Sequence, residues 1–185
     1  MLPTLETPRL ILVPLALADA ASIQSVFPQW EVVRYLNAVV PWPYPPDGAL
    51  VWIREHALPA IGRGEEWHWS LRRKAEPAAI IGAIGLIRGE GENRGFWIAP
   101  EWRNQGLMTE AVLAVTDYWF GVLGFPVLRA PKAVANAASR RISEKTGMRR
   151  IGTEERALVS GVQTSEIWEI TAEEWRGFRK KQRAG

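Results

Sequence analysis

The sequence predicts an α/β domain of the α+β kind: a mixed, mostly antiparallel sheet of about seven strands with helices on both faces. Three observations predict it. The runs Trp67 to Arg73, Ala79 to Arg88 and Glu92 to Ala99 are short, apolar or partly alternating, and joined by tight links, as in an antiparallel meander. Gly106 to Val122 repeats apolar residues at helical spacing on two faces, so it reads as a largely buried helix. After it a strand, a helix and a hairpin follow in turn.

In chain order, Arg9 to Leu15 (RLILVPL) opens as a strand, and Ala16 to Phe27 is a helix with Asp19 near its start. The segment Pro41-Trp42-Pro43-Tyr44-Pro45-Pro46 fits neither a helix nor a central strand, because proline fixes φ and lacks an N–H. Asp47 then reads as the N-cap of a helix reaching about Ile61, stopped by Gly62 and Gly64. The three-strand meander comes next, with Gly89-Glu90-Gly91 as its second turn. Beyond the long helix lie a strand over Val127 to Val134 and a helix over Asn136 to Thr146. Asn136 is its expected N-cap and Gly147 its C′ residue. Met148 to Val159 and Gln163 to Ile170 form a closing hairpin across Ser160-Gly161. Thr171 and Glu174 have the spacing of a capping box for a last helix.

Composition narrows the chemistry. With 185 residues and 47% hydrophobic content, the chain has the length and apolar content of one domain with a sizeable core, spanning 1–185. Net charge is +3, with much of the excess in the tail residues Arg176, Arg179, Lys180, Lys181 and Arg183, a solvated terminus in the simplest reading. There is no cysteine, which excludes disulfides, Cys-ligated metal and an acyl group carried on a protein thiol. Only His56 and His68 occur, with no HExxH, so neither a metal site nor a Ser-His-Asp triad is expected. The N-terminal residues lack the pattern of a secretory signal, and no apolar run reaches the ~18 residues of a membrane helix. A cytoplasmic enzyme with no membrane partner is the expectation.

The informative stretch runs from Ile98 to Ala111. A strand ends, a loop containing Gly106 follows, and the long helix begins. The first N–H groups of a helix have no intrahelical partner and carry the positive end of its dipole, so they form an anion site. Gly106 allows close approach to the backbone, and Arg103 adds a fork of donors. No GxxxxGK[ST] occurs, and Gly89 to Gly95 has the wrong spacing for GxGxxG.

Arg103-Asn104-Gln105-Gly106-Leu107-Met108 resembles the [Q/R]xxGx[G/A] loop of the GNAT acetyltransferase superfamily, and Thr109-Glu110-Ala111 matches its usual continuation. Asn136 to Met148 (NAASRRISEKTGM) is similar to the NxxSxxxxEKxGF block of the RimJ/RimL type, the ribosomal-protein N-terminal acetyltransferases. Thr7-Pro8-Arg9-Leu10, Ile81 to Leu86 and Glu174-Trp175 extend the resemblance over nearly the whole chain. The sequence departs from the pattern at Met108, Asn104 and Met148, which stand where a small residue, Gly and Phe are usual.

The resemblance implies acetyl-CoA as co-substrate, no metal, and a sheet splayed in the middle. It places pantetheine between two parted strands, Glu92 to Ala99 and Val127 to Val134. The main chain of Trp97, Ile98 and Ala99 would contact pantetheine. Arg103, Asn104, Gln105, Gly106, Leu107, Met108 and Thr109 would hold the pyrophosphate, and Asn136 and Ser139 would touch the CoA arm.

For direct transfer onto an amine, the nucleophile must be neutral. A lysine amine near pKa ~10.4 is roughly 0.04% neutral at pH 7, against about 10–17% for an α-amine near ~7.7–8.0. A protein N-terminal α-amine is therefore the favoured acceptor. Ser139, with Ser143 next, is the expected proton donor to the leaving thiolate, and Glu92 the expected base, followed by Glu65, Glu66 and His68. A carboxylate on the strand that binds pantetheine is common among superfamily relatives. Of the aromatics Trp30, Tyr35, Trp42, Tyr44, Trp67 and Trp69, the pair Trp42 and Tyr44 is assigned to the acceptor pocket, because the proline-rich segment runs at the surface.

Two other functions stay open: acetylation of a small amine such as an antibiotic or polyamine, and a non-catalytic acyl-CoA-binding module. Nucleic-acid binding is a distant alternative. Monomer and homodimer are both compatible, with Gln163 to Ile170 as an edge strand for pairing.

Overall fold

The structure is a computed structural model and describes residues 2–184. Strand β1 (Leu5–Glu6) turns into β2 (Leu10–Pro14). A single 3-10 turn, Leu17–Asp19, leads into helix α1 (Ala20–Val26), and α2 (Trp30–Val33) is one turn long. Helix α3 (Gly48–Trp52) runs through a π turn at Ile53–Ala57 into α4 (Leu58–Arg63). Strands β3 (Glu66–Arg73), β4 (Glu76–Ile87) and β5 (Arg94–Ile98) follow. Next come α5 (Leu107–Gly121), β6 (Val127–Ala133), α6 (Ala137–Lys145), β7 (Arg149–Leu158), β8 (Gly161–Thr171) and α7 (Ala172–Ala184).

The strands form two antiparallel sheets, one of five in the order β1-β2-β3-β4-β5 and one of three in the order β6-β8-β7. The expected sheet of about seven strands thus has eight, divided between β5 and β6. The closing hairpin lies differently from the reading above: β8 is central in its sheet and β7 is the edge.

Helices cover both faces. On one face α5 buries Leu107, Met108, Ala111, Val112, Val115 and Trp119 against Leu12, Trp69, Leu71 and Ile84 of the first sheet. Leu128, Trp168 and Ile170 of the second sheet join the same core. On the other face α1 through α4 bury Ile23, Phe27, Val33, Ala49 and Ile53 against Leu15 and Ile80. Full burial of each large side chain contributes about 1.5–3 kcal/mol, so the core across α5 fastens the two sheets together.

Caps behave as local chemistry dictates, with one exception. Asn136 Oδ1 accepts from Ser139 N–H at 3.2 Å, and Gly147 takes the left-handed φ of 76°. Thr171 and Glu174 exchange both bonds of the capping box, at 2.8 and 3.2 Å. Asp47 makes no side-chain cap; Gln24 from α1 accepts from Ala49 N–H instead, at 3.0 Å. Gly62 lies within α4, which ends at Gly64.

Two residues explain why β5 and β6 part. Asn93 is 2% exposed. Its N–H donates to Arg129 O at 2.7 Å, and its Oδ1 accepts from Arg129 N–H at 2.8 Å. Its Nδ2 donates to the carbonyls of Ile87 and Gly89. Both strands run on from this joint. Ala99 N–H donates to Ile81 O and Ile87 N–H to Asn93 O, so the odd-numbered residues of β5 bond to β4, and those between face β6. By the same alternation, the Val134 N–H bond to Thr164 turns Pro131 toward β5. Proline has no N–H to continue a ladder, so pairing ends after Arg129 and the strands diverge.

Candidate active site

The divergence opens a cleft of about 770 Å³ between the outer halves of β5 and β6, floored by the start of α5 and walled by α6 and the α2 segment. At its mouth, Asn104 and Gly106 both take left-handed backbone, with φ of 61° and 77°. Asparagine tolerates this region better than most residues, which accounts for Asn104 in place of a glycine. The two turns present the start of α5 to the cleft. Among the described residues the N–H groups of Leu107, Met108 and Thr109 have no hydrogen-bond partner; the first helical bond is Glu110 N–H to Gly106 O.

Charge at the mouth is positive. Arg103 Nη2 donates to the Glu31 carbonyl at 2.8 Å, and among the described residues neither Arg103 nor Arg34 is ion-paired. Burial, then the nearby Arg34 charge, lowers the Arg103 pKa. Arg141 and Lys145 of α6 also line the cleft. Two like-charged guanidinium groups beside free helix N–H donors make a strong polyanion site.

Within the cleft, Phe96 and Ile98 turn their backbone N–H and C=O groups toward the gap, and Ala133 does so from β6. The Phe96 and Ile98 groups and the Ala133 N–H have no partner among the described residues, while the Ala133 C=O accepts from Asn136 N–H at 2.9 Å. An amide-bearing arm laid between the strands would satisfy them, whereas a dry void would leave a costly set of orphans.

The residues expected from sequence divide as follows. Arg103, Asn104, Gly106, Leu107, Met108, Thr109, Trp97, Ile98, Asn136, Ser139 and Glu92 all line the cleft. Gln105 does not: its side chain donates to the Glu101 carbonyl and its own carbonyl accepts from Arg9. Ala99 is fully buried with its N–H engaged by Ile81. Trp97 directs its N–H to β4 by the same register and packs its ring on Phe27. The register therefore offers Ile98 from the expected trio, and adds Phe96.

Ser139 faces the cleft with its hydroxyl unbonded among the described residues, while Ser143 is fully buried away from it. Glu92 precedes β5 rather than lying on it, and its carboxylate is paired with Arg156. Glu65 pairs with Arg63, and Glu66 with His68, outside the cleft. Trp42 is 42% exposed and packs on Trp30, and Tyr44 packs on Phe27; neither lines the cleft. The tyrosine that does is Tyr35, whose hydroxyl donates to Ala135 O at 3.3 Å. Lys132, Arg156 and Arg34 are cleft residues that sequence reasoning did not single out.

Comparison with known proteins agrees with this geometry. The acetyltransferase (GNAT) domain family matches residues 9–149. The uncharacterized N-acetyltransferase YoaA of Bacillus subtilis (strain 168) is 34% identical over 163 residues, covering 82% of this chain and 86% of that protein. The fold superposes on ribosomal-protein-S5-alanine acetyltransferase from Vibrio fischeri with a TM-score of 0.79 at 15% identity, covering 94% and 98% of the two chains. It also superposes on the ribosomal alpha-N-protein acetyltransferase RimL in complex with coenzyme A, with a TM-score of 0.78 at 13% identity, covering 91% and 98%. No helix among the described residues is long and apolar enough to cross a membrane.

Proposed function

Because this chain belongs to the GNAT acetyltransferase family, we propose that it moves an acetyl group from acetyl-CoA directly onto a primary amine, with a protein N-terminal α-amine as the favoured acceptor. One observation carries the reading: unpartnered N–H groups of Leu107, Met108 and Thr109 open at the mouth of a cleft whose walls are unpaired strand edges. The residues fit the co-substrate. The N–H groups, Arg103 and Arg34 suit a diphosphate, and Phe96, Ile98 and Ala133 suit the amides of pantetheine. The thioester it supplies is the activated acyl group.

The chain's own groups then act by position. Strands β5 and β6 hold the acyl carbon at the depth where an amine can approach to about 3–3.5 Å. A strand N–H facing the gap, at Phe96 or Ile98, stabilises charge developing on the carbonyl oxygen. Ser139, with a free hydroxyl, hydrogen-bonds the sulfur. Glu92, held by Arg156, keeps that guanidinium at the acceptor end.

The acceptor end disfavours a polyamine. Apart from Arg34, Arg103, Arg141, Lys145 and Glu31 at the mouth, the charged residues lining the cleft among the described residues are Lys132 and Arg156 against Glu92 alone. A polycation would meet repulsion, whereas an N-terminal peptide brings one amine and can bring acidic side chains. Mass-spectrometric screening of peptide and small-amine pools with acetyl-CoA tests the reading. Peptides gaining one acetyl group at the α-amine are expected; acetylation confined to polyamines or aminoglycosides would overturn the acceptor class.

A further inference from the structure

A titratable group lies at the closed end of the cleft that neither Ser139 nor Glu92 accounts for. Lys132 follows Pro131 on β6, is 9% exposed and lines the cleft. Its Nζ stands 4.7 Å from the centre of the Phe96 ring, and it makes no hydrogen bond or ion pair among the described residues. Charged groups face it from each packed element: Glu92 before β5, Arg94 on β5, Arg156 on β7 and Glu166 opposite it on β8. Glu92 is engaged by Arg156, and Glu166 by Arg140 and Arg150. Arg94, 1% exposed, donates only to Thr116 Oγ1 and Met148 Sδ and has no carboxylate. Burial first, then the Arg94 charge, lowers the Lys132 pKa to about 7; Glu92 opposes this and Arg156 adds to it.

Position gives the amine a task. The diphosphate end of the cleft is at Gly106, beyond the end of β5, and the strands close at Asn93. An arm lying along β5 from the first toward the second brings its thioester to Phe96, the ring that Lys132 covers. We infer that Lys132 carries the proton of the transfer step: as the free amine it takes the proton that the attacking nitrogen sheds, and as the ammonium it returns that proton to the departing thiolate. This rests on the acyl-transfer reading above.

The step balances. The nitrogen lone pair forms the N–C bond, the C–S bond breaks with its electrons on sulfur, and the proton lost by nitrogen ends on sulfur by way of Nζ. No oxidant or other reactant is needed. A group titrating near neutrality is about half in each form at pH 7, so it can both accept and donate. A thiol near pKa ~8.5 holds a proton more tightly than such an ammonium, so the second transfer runs downhill. A serine hydroxyl is far too weak an acid for that role, which leaves Ser139 as a hydrogen-bond partner of the sulfur.

The test compares wild type with Lys132→Met, which keeps length, and Lys132→Arg, which keeps charge but does not give up its proton. Both should lose about 10²–10³ in kcat, and the acidic limb near pH 7 in the wild-type profile should vanish from Lys132→Met. CoA affinity by calorimetry should change little. Heteronuclear NMR of the Lys132 side chain in the intact wild type should show titration near 7, a result independent of whether either variant folds. Unchanged kcat and pH profile in Lys132→Met, or a Lys132 amine titrating near 10, would overturn the inference while leaving acyl transfer intact. A wild type that binds CoA but acylates no amine would overturn the reading beneath it as well.

Discussion

Arg9 Nε donates to Glu110 Oε2 at 2.8 Å, so the turn between β1 and β2 grips the first turn of the helix that opens the polyanion site. Arg9 N–H and Thr7 Oγ1 hold the other carboxylate oxygen, and Arg9 Nη1 donates to Gln105 O at 2.9 Å. The Thr7-Pro8-Arg9 segment is therefore part of the scaffold of the Gly106 loop. Glu110→Gln should cost roughly 1–2 kcal/mol of stability, since the pair is partly exposed, and raise the KM for acetyl-CoA more than it lowers kcat. Burial by itself would raise the Glu110 pKa, but the bonds from Thr7 and Arg9 hold it below the usual carboxylate range. The stabilisation is present above the unfolded carboxylate pKa and is lost as pH falls through the depressed value. Denaturation of both proteins across acid pH should show the two curves converging.

Asn93 fastens the apex of the splay with five hydrogen bonds, three of them through its side chain. Asn93→Ala would leave the part-buried Arg129 N–H and the Ile87 and Gly89 carbonyls without a side-chain partner, at about 1–3 kcal/mol for each group left dry. A fall in urea midpoint of that size is expected, with kcat reduced because the acyl end of the cleft is no longer held in register.

Glu92 raises the Lys132 pKa through its charge. Glu92→Gln should therefore move the acidic limb of the rate profile to lower pH, rather than abolish it. Loss of the limb altogether would make Glu92 itself the titrating base.

Lys132 also writes a signature on stability. Its folded pKa of about 7 lies below the ordinary lysine value of 10.5, so between the two the unfolded chain binds more protons, and stability rises with pH. Below about 7 the buried ammonium carries its full cost. Relative to wild type, Lys132→Met should be most favoured in that acid range and lose the advantage as pH climbs toward about 10. Urea titrations at several pH values measure this.

Much of the scaffold was legible because its causes are local. The apolar spacing from Leu107 onward, the Thr171–Glu174 box and the Asn136 cap need only neighbours in sequence. The Gly106 loop was legible for the same reason. What escaped depends on long-range placement. Gln24 caps a helix 25 residues downstream, so Asp47 took its place in the reading. Which strand residues face the gap is a matter of register, and a shift of one exchanges Trp97 for Phe96. Lys132 gave one signal, a lysine beside a proline in a strand whose other charged residue is Arg129, and the engagement of its neighbouring carboxylates by arginines emerges only in three dimensions. Trp42 and Tyr44 were placed by surface exposure alone, which says where a segment lies and not which cavity it borders.

A diphosphate gripped by the N–H groups that open α5 is what the rest of the site is built around. Amide NMR during titration with CoA, and separately with pantetheine lacking the diphosphate, tests it most directly. Large shifts are expected at Leu107, Met108 and Thr109 with CoA and small ones with pantetheine. Amides that stay in place while CoA binds elsewhere, or respond equally to both compounds, would contradict it.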